Sequence, residues 1–243
     1  MKLNYKYSNI KFEKNTVIIA GAGPGSKKLI TLELKYILKL ADVIVYDALV
    51  NRSILDECNE KVLLVYAGKT KKNSCTQSEI NELLVKHAKL GKRVLRLKGG
   101  DVSFFSRASQ EVEFLKKNKI NFRVISAITS SQASISKINA NFFNKNRFCN
   151  FFTGHKKINS NSKDVDYYNI SKNKGKIFIY MGISQIEKIS KNLQKNQVSL
   201  KEGVSIIKNA SLKNQKIYTT NLKNCGAFIK KNKITSPAII IIR

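Results

Sequence analysis

The sequence is poor in the residues that bind metals or form covalent cross-links. Its 243 residues include four cysteines and two histidines, and no two cysteines form a CxxC pair. Zinc sites and disulfide frameworks need suitably spaced cysteines, so the sequence indicates neither, and free thiols fit a cytoplasmic protein. The residues concerned are Cys58, Cys75, Cys149, Cys225, His87 and His155.

Long apolar runs are also missing. Lys2, Asn4 and Lys6 interrupt the amino-terminal segment, which therefore lacks the apolar core of a signal peptide. No stretch approaches the roughly 18 apolar residues of a membrane span. Hydrophobic residues make up 42% of the chain and charged residues 25%, which is typical of a globular protein. We expect a soluble protein with no membrane partner.

Acidic residues are scarce relative to basic ones. The 16 Asp and Glu residues stand against 45 Lys and Arg residues, which gives a net charge of +29. Such an excess favours nucleic acid, anionic lipid, or a substrate with several carboxylates or phosphates. Drift toward AT-rich codons would also produce it, because the basic residues are scattered among Asn and Ile. No nucleic-acid-binding signature is present, and the Phe104-Phe105 and Phe151-Phe152 pairs are typical of a core, so we expect no nucleic acid partner.

Apolar runs alternate with helix-like segments through the first half of the chain, which is the pattern of parallel βαβ units. A Thr76-x-x-Glu79 capping box opens one helix, with Ile80, Leu83, Leu84 and His87 on one face. After a polar leader, residues 1–13, we predict an α/β domain with an open parallel sheet over residues 14–138. Its strands are residues 16–20, 43–46, 62–66, 93–97 and 122–125, and its helices are residues 29–40, 53–58, 76–91, 107–117 and 129–138.

A polar, Asn-rich segment at residues 139–147 marks the predicted domain junction. The remainder, residues 139–243, is predicted to be a second α/β domain with a mixed sheet. We interpret residues 156–175 as a surface loop because they are polar. The predicted strands are residues 148–153, 176–181, 204–207, 216–219 and 238–242, and the predicted helices are residues 184–193 and 222–231.

Conspicuous residues follow the predicted strands of the first domain, at the edge where open parallel sheets bind ligands. The Gly-rich loop after the first strand is not a dinucleotide fingerprint, because Ser26 takes the last glycine position and Pro24 lacks an N–H for phosphate. It suits an uncharged or zwitterionic ligand, and an ordinary strand-to-helix turn is the alternative. The later strands are followed by Asp47, by Gly68-Lys69, by Gly99-Gly100-Asp101 and by Thr129-Ser130.

Asp47 and Lys69 are the candidates for acid–base chemistry, because a carboxylate and an ammonium at neighbouring strand ends can move protons at one substrate. An ordinary ion pair at the sheet edge is the alternative. Asp101 could accept a hydrogen bond from a ligand or could close an Asx turn. Arg107 could bind a substrate carboxylate through two hydrogen bonds or could simply be solvated.

The order and spacing of motifs along the chain resemble the tetrapyrrole methylase family, and within it the uroporphyrinogen-III C-methyltransferases. The similarity extends from about Val17 to Ile242. It is carried by Gly21-Ala22-Gly23-Pro24-Gly25, Ala41-Asp42-Val43-Ile44-Val45-Tyr46-Asp47, Gly68-Lys69, Arg96-Leu97-Lys98-Gly99-Gly100-Asp101, Ile128-Thr129-Ser130, Thr153-Gly154-His155, Tyr180-Met181-Gly182, Asn209-Ala210 and Ser236-Pro237-Ala238.

This resemblance implies two α/β domains of the class III methyltransferase fold, with the active site in the cleft between them, and a homodimer. It implies transfer of two methyl groups from S-adenosyl-L-methionine to uroporphyrinogen III, giving S-adenosyl-L-homocysteine and precorrin-2 for sirohaem or cobalamin synthesis, with no metal. Asp47 would accept a proton, Lys69 would donate one, and Arg107 would bind the substrate. The cofactor site would comprise Pro24, Gly99, Gly100, Asp101, Phe104, Thr129, Ser130, Met181 and Ala210.

Three departures from the family pattern bear on activity. Val102 replaces the usual proline, Gln110 replaces an acid, and Ser126-Ala127 replaces Pro-Gly. Two alternatives therefore remain: a methylase of a later corrinoid intermediate, or a drifted homologue with weak activity that mainly binds cofactor or tetrapyrrole. Because uroporphyrinogen III carries eight carboxylates, it would be a sufficient partner for the positive charge.

Overall fold

The computed structural model describes residues 10–68, 75–136, 138, 148–155 and 165–242, which form two compact units. The chain passes from the first unit to the second between Thr129 and Ser130. The expected domain boundary lay after residue 138, but residues 130–138 associate with the second unit. The hydroxyl of Tyr180 donates to Ser131 Oγ at 2.8 Å, and Ile135 and Ile138 pack on the core of that unit.

The described residues of the first unit contain a sheet in the order β3-β2-β4-β1-β5, with every neighbouring pair parallel. All its carboxyl ends therefore lie at one edge, which we call the first edge. The strands are β1 (Thr16–Gly21), β2 (Val43–Tyr46), β3 (Leu63–Tyr66), β4 (Arg93–Lys98) and β5 (Asn121–Ile125). The helices are α1 (Leu32–Leu40), α2 (Arg52–Leu55), α3 (Gln77–Lys89) and α4 (Ala108–Lys117).

Helices cover both faces of this sheet, which explains why its central strands are apolar runs. On β1, Ile18 packs in the cluster that contains α1 and α2, while Val17 and Ile19 pack in the cluster that contains α3 and α4. On β4 the same alternation directs Leu95 toward α1. Every second side chain of β4 therefore belongs to the face covered by α3 and α4.

Helix α3 begins with the predicted capping box. The hydroxyl of Thr76 accepts from the Glu79 backbone N–H at 3.2 Å, and Glu79 Oε2 accepts from the Thr76 N–H at 2.6 Å. The buried face is rotated from the predicted one, since Leu83 and His87 are only half-buried. Its fully buried residues are Ile80, Asn81, Leu84, Val85 and Ala88.

The described residues of the second unit contain a mixed sheet in the order β6-β7-β10-β8-β9. Strand β10 is antiparallel to both of its neighbours, so β6, β7 and β8 share one direction and end where β10 begins. We call that side the second edge. The elements are α5 (Ser130–Ile135), β6 (Cys149–Thr153), α6 (Tyr167–Lys172), β7 (Lys176–Tyr180), α7 (Ile186–Lys195), β8 (Gly203–Lys208), β9 (Lys216–Asn221), α8 (Cys225–Lys231) and β10 (Ala238–Ile242).

Helix α6 corrects part of the predicted surface loop over residues 156–175, of which residues 156–164 lie outside the described residues. Asp166 caps the helix, because its carboxylate accepts from the Asn169 N–H at 3.0 Å. Tyr167 and Ile170, which are three residues apart, pack on the core of the second unit. The polar composition did not indicate this short amphipathic helix, because its apolar face consists of only two side chains.

Arg93 and Asp42 join the amino end of β4 to the residue that precedes β2. The Asp42 carboxylate accepts from Arg93 Nε at 3.1 Å, from its terminal nitrogen at 2.8 Å and from its backbone N–H at 2.8 Å. The hydrogen bond from the Arg93 side chain is the main reason that the pKa of Asp42 lies below its usual value.

We expect Asp42→Asn to lower the free energy of unfolding by about 1 kcal/mol at neutral pH, because it breaks this paired contact. The contribution of Asp42 is complete above the unfolded-state pKa of about 4 and is lost as pH falls through the lower pKa of the folded state. Urea titrations at a series of pH values should therefore show the difference from wild type narrowing in acid. The exposed Asp56→Asn is the matched control, and an equal loss in that variant would contradict the assignment.

Candidate active site

Backbone hydrogen bonds join the loops that follow β1 and β4 at the first edge. The N–H of Gly23 donates to the carbonyl of Gly100 at 3.1 Å, and the N–H of Gly100 donates back to Gly23 at 2.8 Å. Both residues have a positive φ, +74° and +75°. Ala22 also donates to the Lys98 carbonyl at 2.7 Å. The Gly-rich loop thus directs two of its N–H groups at its neighbour, and it is not a phosphate cradle.

Asp101 joins this pair of loops to a third. Its carboxylate accepts from the Ser103 N–H at 2.7 Å, which closes an Asx turn, and from the Ala127 N–H in the loop after β5. The Asx turn is therefore present, as one of the two interpretations of Asp101 expected. Since Asp101 is buried and both carboxylate oxygens hold backbone groups, it fixes the relative position of the loops after β4 and β5.

Asp47 directly follows β2 and faces the loop after β4. One carboxylate oxygen, Oδ1, accepts from the N–H of Leu49 at 3.0 Å and from that of Gly99 at 3.4 Å. A Cβ at Gly99 would lie 2.4 Å from the Cβ of Leu49, so the close approach of the two loops requires glycine there. The other oxygen, Oδ2, lies 3.8 Å from a terminal guanidinium nitrogen of Arg96. A quarter of the surface of the Asp47 side chain is exposed. The structure therefore gives Asp47 a cationic neighbour that the sequence analysis did not name; Lys69 lies outside the described residues.

Buried ions that the sequence analysis did not identify lie beneath Asp47. Arg96 and Lys98 occupy alternate positions of β4 on the face covered by α3 and α4, and Glu111 reaches them from α4. Glu111 Oε1 lies 2.8 Å from Lys98 Nζ and 3.1 Å from Arg96 Nε. The side chain of Glu111 has no exposed surface, and those of Arg96 and Lys98 are 4% and 5% exposed. We call these three residues with Asp47 the β4 charge cluster.

Burial and the nearby guanidinium of Arg96 lower the pKa of Lys98, although Glu111 and Asp47 oppose that shift. Gln77 at the start of α3 donates to Glu111 Oε1 at 3.3 Å. The signal in the sequence was that Arg96 and Lys98 alternate with apolar residues in a central strand. A central strand has no solvent-exposed face, so such cations must find buried partners.

Arg107 precedes α4 in a left-handed conformation, with φ of 60°, and is exposed. Phe104 is half-buried, and its ring meets that of Phe105 edge-on at a centroid distance of 6.4 Å. Two of the departures from the family pattern lie nearby. Val102 is buried and packs in the cluster with α3 and α4, and Gln110 is exposed on α4. Val102 therefore occupies a core position in this chain.

The remaining candidates fall on separate units. Pro24 is half-buried in the loop after β1, and Thr129 is buried at the end of the loop after β5. Ser130 begins α5 in the second unit. At the second edge, Met181 follows β7 with φ of +50° and is exposed, while Ala210 follows β8 and is buried. Within each unit, the candidates that follow strands lie at the carboxyl ends of those strands.

The described residues hold no group of three or more His, Cys, Asp or Glu side chains that could bind a metal ion. The four cysteines are all free thiols. Among the helices that the structure describes, none has the length and apolar character needed to cross a membrane.

Comparison with known proteins identifies the family. A family model described as tetrapyrrole (corrin/porphyrin) methylases matches residues 16–225. A uroporphyrinogen-III C-methyltransferase of Methanocaldococcus jannaschii is 37% identical over 93% of this chain and 94% of its own length. A sirohaem synthase of Ruthia magnifica is 33% identical over 96% of this chain but only 49% of its own length. This chain spans about half the length of the sirohaem synthases that it matches.

Solved structures agree with this result. Uroporphyrin-III C-methyltransferase from Thermus thermophilus superposes with a TM-score of 0.76 at 26% identity, covering 93% of this chain and 91% of that enzyme. That enzyme has also been solved in complex with S-adenosyl homocysteine. The two α/β units match this class III methyltransferase fold, as the resemblance implied. By sequence and by fold, this chain belongs to the tetrapyrrole (corrin/porphyrin) methylases.

Proposed function

We propose that the protein transfers methyl groups from S-adenosyl-L-methionine to two ring carbons of uroporphyrinogen III, giving precorrin-2 for sirohaem or cobalamin synthesis. The observation that carries this proposal is the 37% identity with an archaeal uroporphyrinogen-III C-methyltransferase over nearly the whole of both chains. The same resemblance supports a homodimer that works in the cytoplasm.

The backbone at Gly100 leaves room for a cofactor at the first edge. A Cβ built at Gly100 would meet no atom within 4 Å, so the backbone there borders open space. S-adenosyl-L-methionine, when bound, supplies an electrophilic methyl group on a sulfonium. Pro24, Gly99, Gly100, Phe104 and Thr129 are proposed to line its site, and Asp101 to hold the loops that form it. The resemblance assigns Ser130, Met181 and Ala210 of the second unit to the same cofactor.

The protein residues then have to position the substrate and move a proton. Methylation of a pyrrole carbon needs the nucleophilic carbon in line with the methyl group, and a base to remove the proton displaced from the ring system. Asp47 is the proposed acceptor, because it is a partly exposed carboxylate at the first edge with a cation beside it. Lys69 is the proposed donor, and the exposed Arg107 is proposed to bind a substrate carboxylate.

Incubation of the purified protein with uroporphyrinogen III and methyl-labelled cofactor is expected to give a doubly labelled tetrapyrrole. Asp47→Asn keeps the side-chain shape but cannot accept the proton, so its kcat should fall by about 100-fold or more while cofactor binding persists. Mass spectrometry of the product and calorimetry with S-adenosyl-L-homocysteine separate the two effects. Absence of label in the tetrapyrrole with wild-type protein would refute the proposal. Binding of S-adenosyl-L-homocysteine without any turnover would indicate a binding protein.

Gly100→Ala tests the cofactor site against a control with the same backbone strain. Gly91 has φ of +76°, nearly that of Gly100, and a Cβ there would meet only Asn15 Oδ1, at 3.8 Å. Both alanine variants should lose stability by about 1 kcal/mol, because alanine is strained at this φ. Only Gly100→Ala should also weaken S-adenosyl-L-homocysteine binding, by about tenfold or more, because its methyl group enters the space proposed for the ligand. Equal affinities in the two variants would place the cofactor elsewhere.

Arg107→Ala tests the assignment of substrate binding. Loss of a two-point contact with a carboxylate should raise the KM for uroporphyrinogen III by about tenfold and leave the KM for the cofactor unchanged. Lys195→Ala, which removes an exposed cation from α7 in the second unit, is the control. If both variants raised KM alike, the general positive charge of the protein rather than Arg107 would be attracting the substrate.

A further inference from the structure

Among the buried side chains of the β4 charge cluster, there are more cations than anions. Arg96 and Lys98 are both cations, and Glu111 alone is a buried anion. Asp47 is the carboxylate that balances the second cation, at 3.8 Å from Arg96. Two cations removed from water are stable only when they are paired with anions. The cluster is therefore neutral when Asp47 is ionised and carries one net positive charge when Asp47 is protonated.

The guanidinium of Arg96 is held in place on three sides. Its Nε donates to Glu111 at 3.1 Å, and one terminal nitrogen donates to the carbonyls of Val45 and Leu97, both at 3.3 Å. The other terminal nitrogen is the one that faces Asp47. Val45 lies on β2, two residues before Asp47, so Arg96 binds the backbone of the strand that carries the carboxylate.

We propose that Arg96 is a positioning residue that orients the Asp47 carboxylate at the first edge, and that Glu111 fixes Arg96 for that purpose. This inference rests on the proposed role of Asp47 as proton acceptor. An acceptor must face the proton that it removes, and the fixed guanidinium of Arg96 restricts the orientation of the carboxylate.

The titratable side chains near Asp47 lie on three elements. Arg96 and Lys98 belong to β4, and Glu111 belongs to α4. From β3, the Tyr66 hydroxyl lies beside Gly68. Among the described residues, Arg96 is the cation within 4 Å of the Asp47 carboxylate. It is therefore the residue whose removal changes the charge next to Asp47 most directly.

Arg96→Gln is expected to lower kcat by about tenfold or more and to leave the KM for uroporphyrinogen III within about twofold of wild type, because the Asp47 carboxylate loses the cation that orients it. Arg96→Lys, which keeps a cation at this position, should restore part of that kcat. Glu111→Gln is expected to lower kcat as well, because Arg96 loses the carboxylate that fixes it. Affinity for S-adenosyl-L-homocysteine should stay within about twofold of wild type in these variants. A variant that only loosened the fold would also weaken that affinity.

Arg93→Gln is the matched control. Arg93 lies on the same strand and pairs with Asp42, the carboxylate that precedes β2, whereas Arg96 pairs with Asp47, the carboxylate that follows β2. We expect Arg93→Gln to reduce stability and to leave kcat unchanged. If Arg93→Gln and Arg96→Gln lowered kcat equally, the effect would be one of stability, and the proposal would be overturned.

Asp47→Asn separates the two proposals. If Asp47→Asn keeps wild-type turnover, Asp47 is not the acceptor and the positioning role falls with it. If Asp47→Asn abolishes most turnover but Arg96→Gln and Glu111→Gln both give the wild-type kcat, only the positioning role is overturned. In the Asp47→Asn/Arg96→Gln double variant, the second change should lower kcat less than it does alone, since the two residues act together. Should Arg96→Gln fail to fold, the kcat values of Arg96→Lys and Glu111→Gln decide.

Discussion

The paired glycines Gly23 and Gly100 are the contact on which the first edge depends. Their two backbone hydrogen bonds form an isolated antiparallel bridge just beyond the ends of the parallel strands β1 and β4. A Cβ at Gly21 would lie 2.5 Å from the Gly100 carbonyl oxygen, so the two loops approach each other closely. Asp101, the next residue after Gly100, connects the loop after β4 to the loop after β5. The candidate residues of three loops therefore take their positions from one pair of glycines.

Two arginines of β4 show how burial alters the role of one residue type. Arg93 and Arg96 each face a carboxylate that flanks β2, one at each end. Arg93 is partly exposed, and its pair mainly ties two strands together. Arg96 is buried, so the loss of a negatively charged neighbour would leave its guanidinium without a counter-charge in the protein interior, where charge is poorly screened. Its contacts with Glu111 and Asp47 are therefore more costly to break than the contact of the partly exposed Arg93 with Asp42.

The sequence was sufficient for most strands, because a parallel sheet covered on both faces needs continuous apolar runs, and these mark strand positions to within a residue or two. It was insufficient where a structure depends on partners distant in the chain. Helix α6 forms around Tyr167 and Ile170, which reveal an apolar face only once the core that receives them is known. Arg96 and Lys98 read as two more scattered cations until Glu111 is seen to reach them from α4.

The same limit applies to the positive charge of the whole protein. Of its 16 acidic residues, Asp42, Asp47, Asp101 and Glu111 are engaged in fixing strands and loops of the first unit. Carboxylates committed to internal contacts offset little of the surface charge, so the lysine excess is presented to solvent. That field would attract a substrate with many carboxylates from a distance without selecting it, since exposed charges are screened within about 10 Å. Selection must come from cations held at the first edge, so the proposed contact of Arg107 with a substrate carboxylate matters more to the proposed chemistry than the net charge of +29.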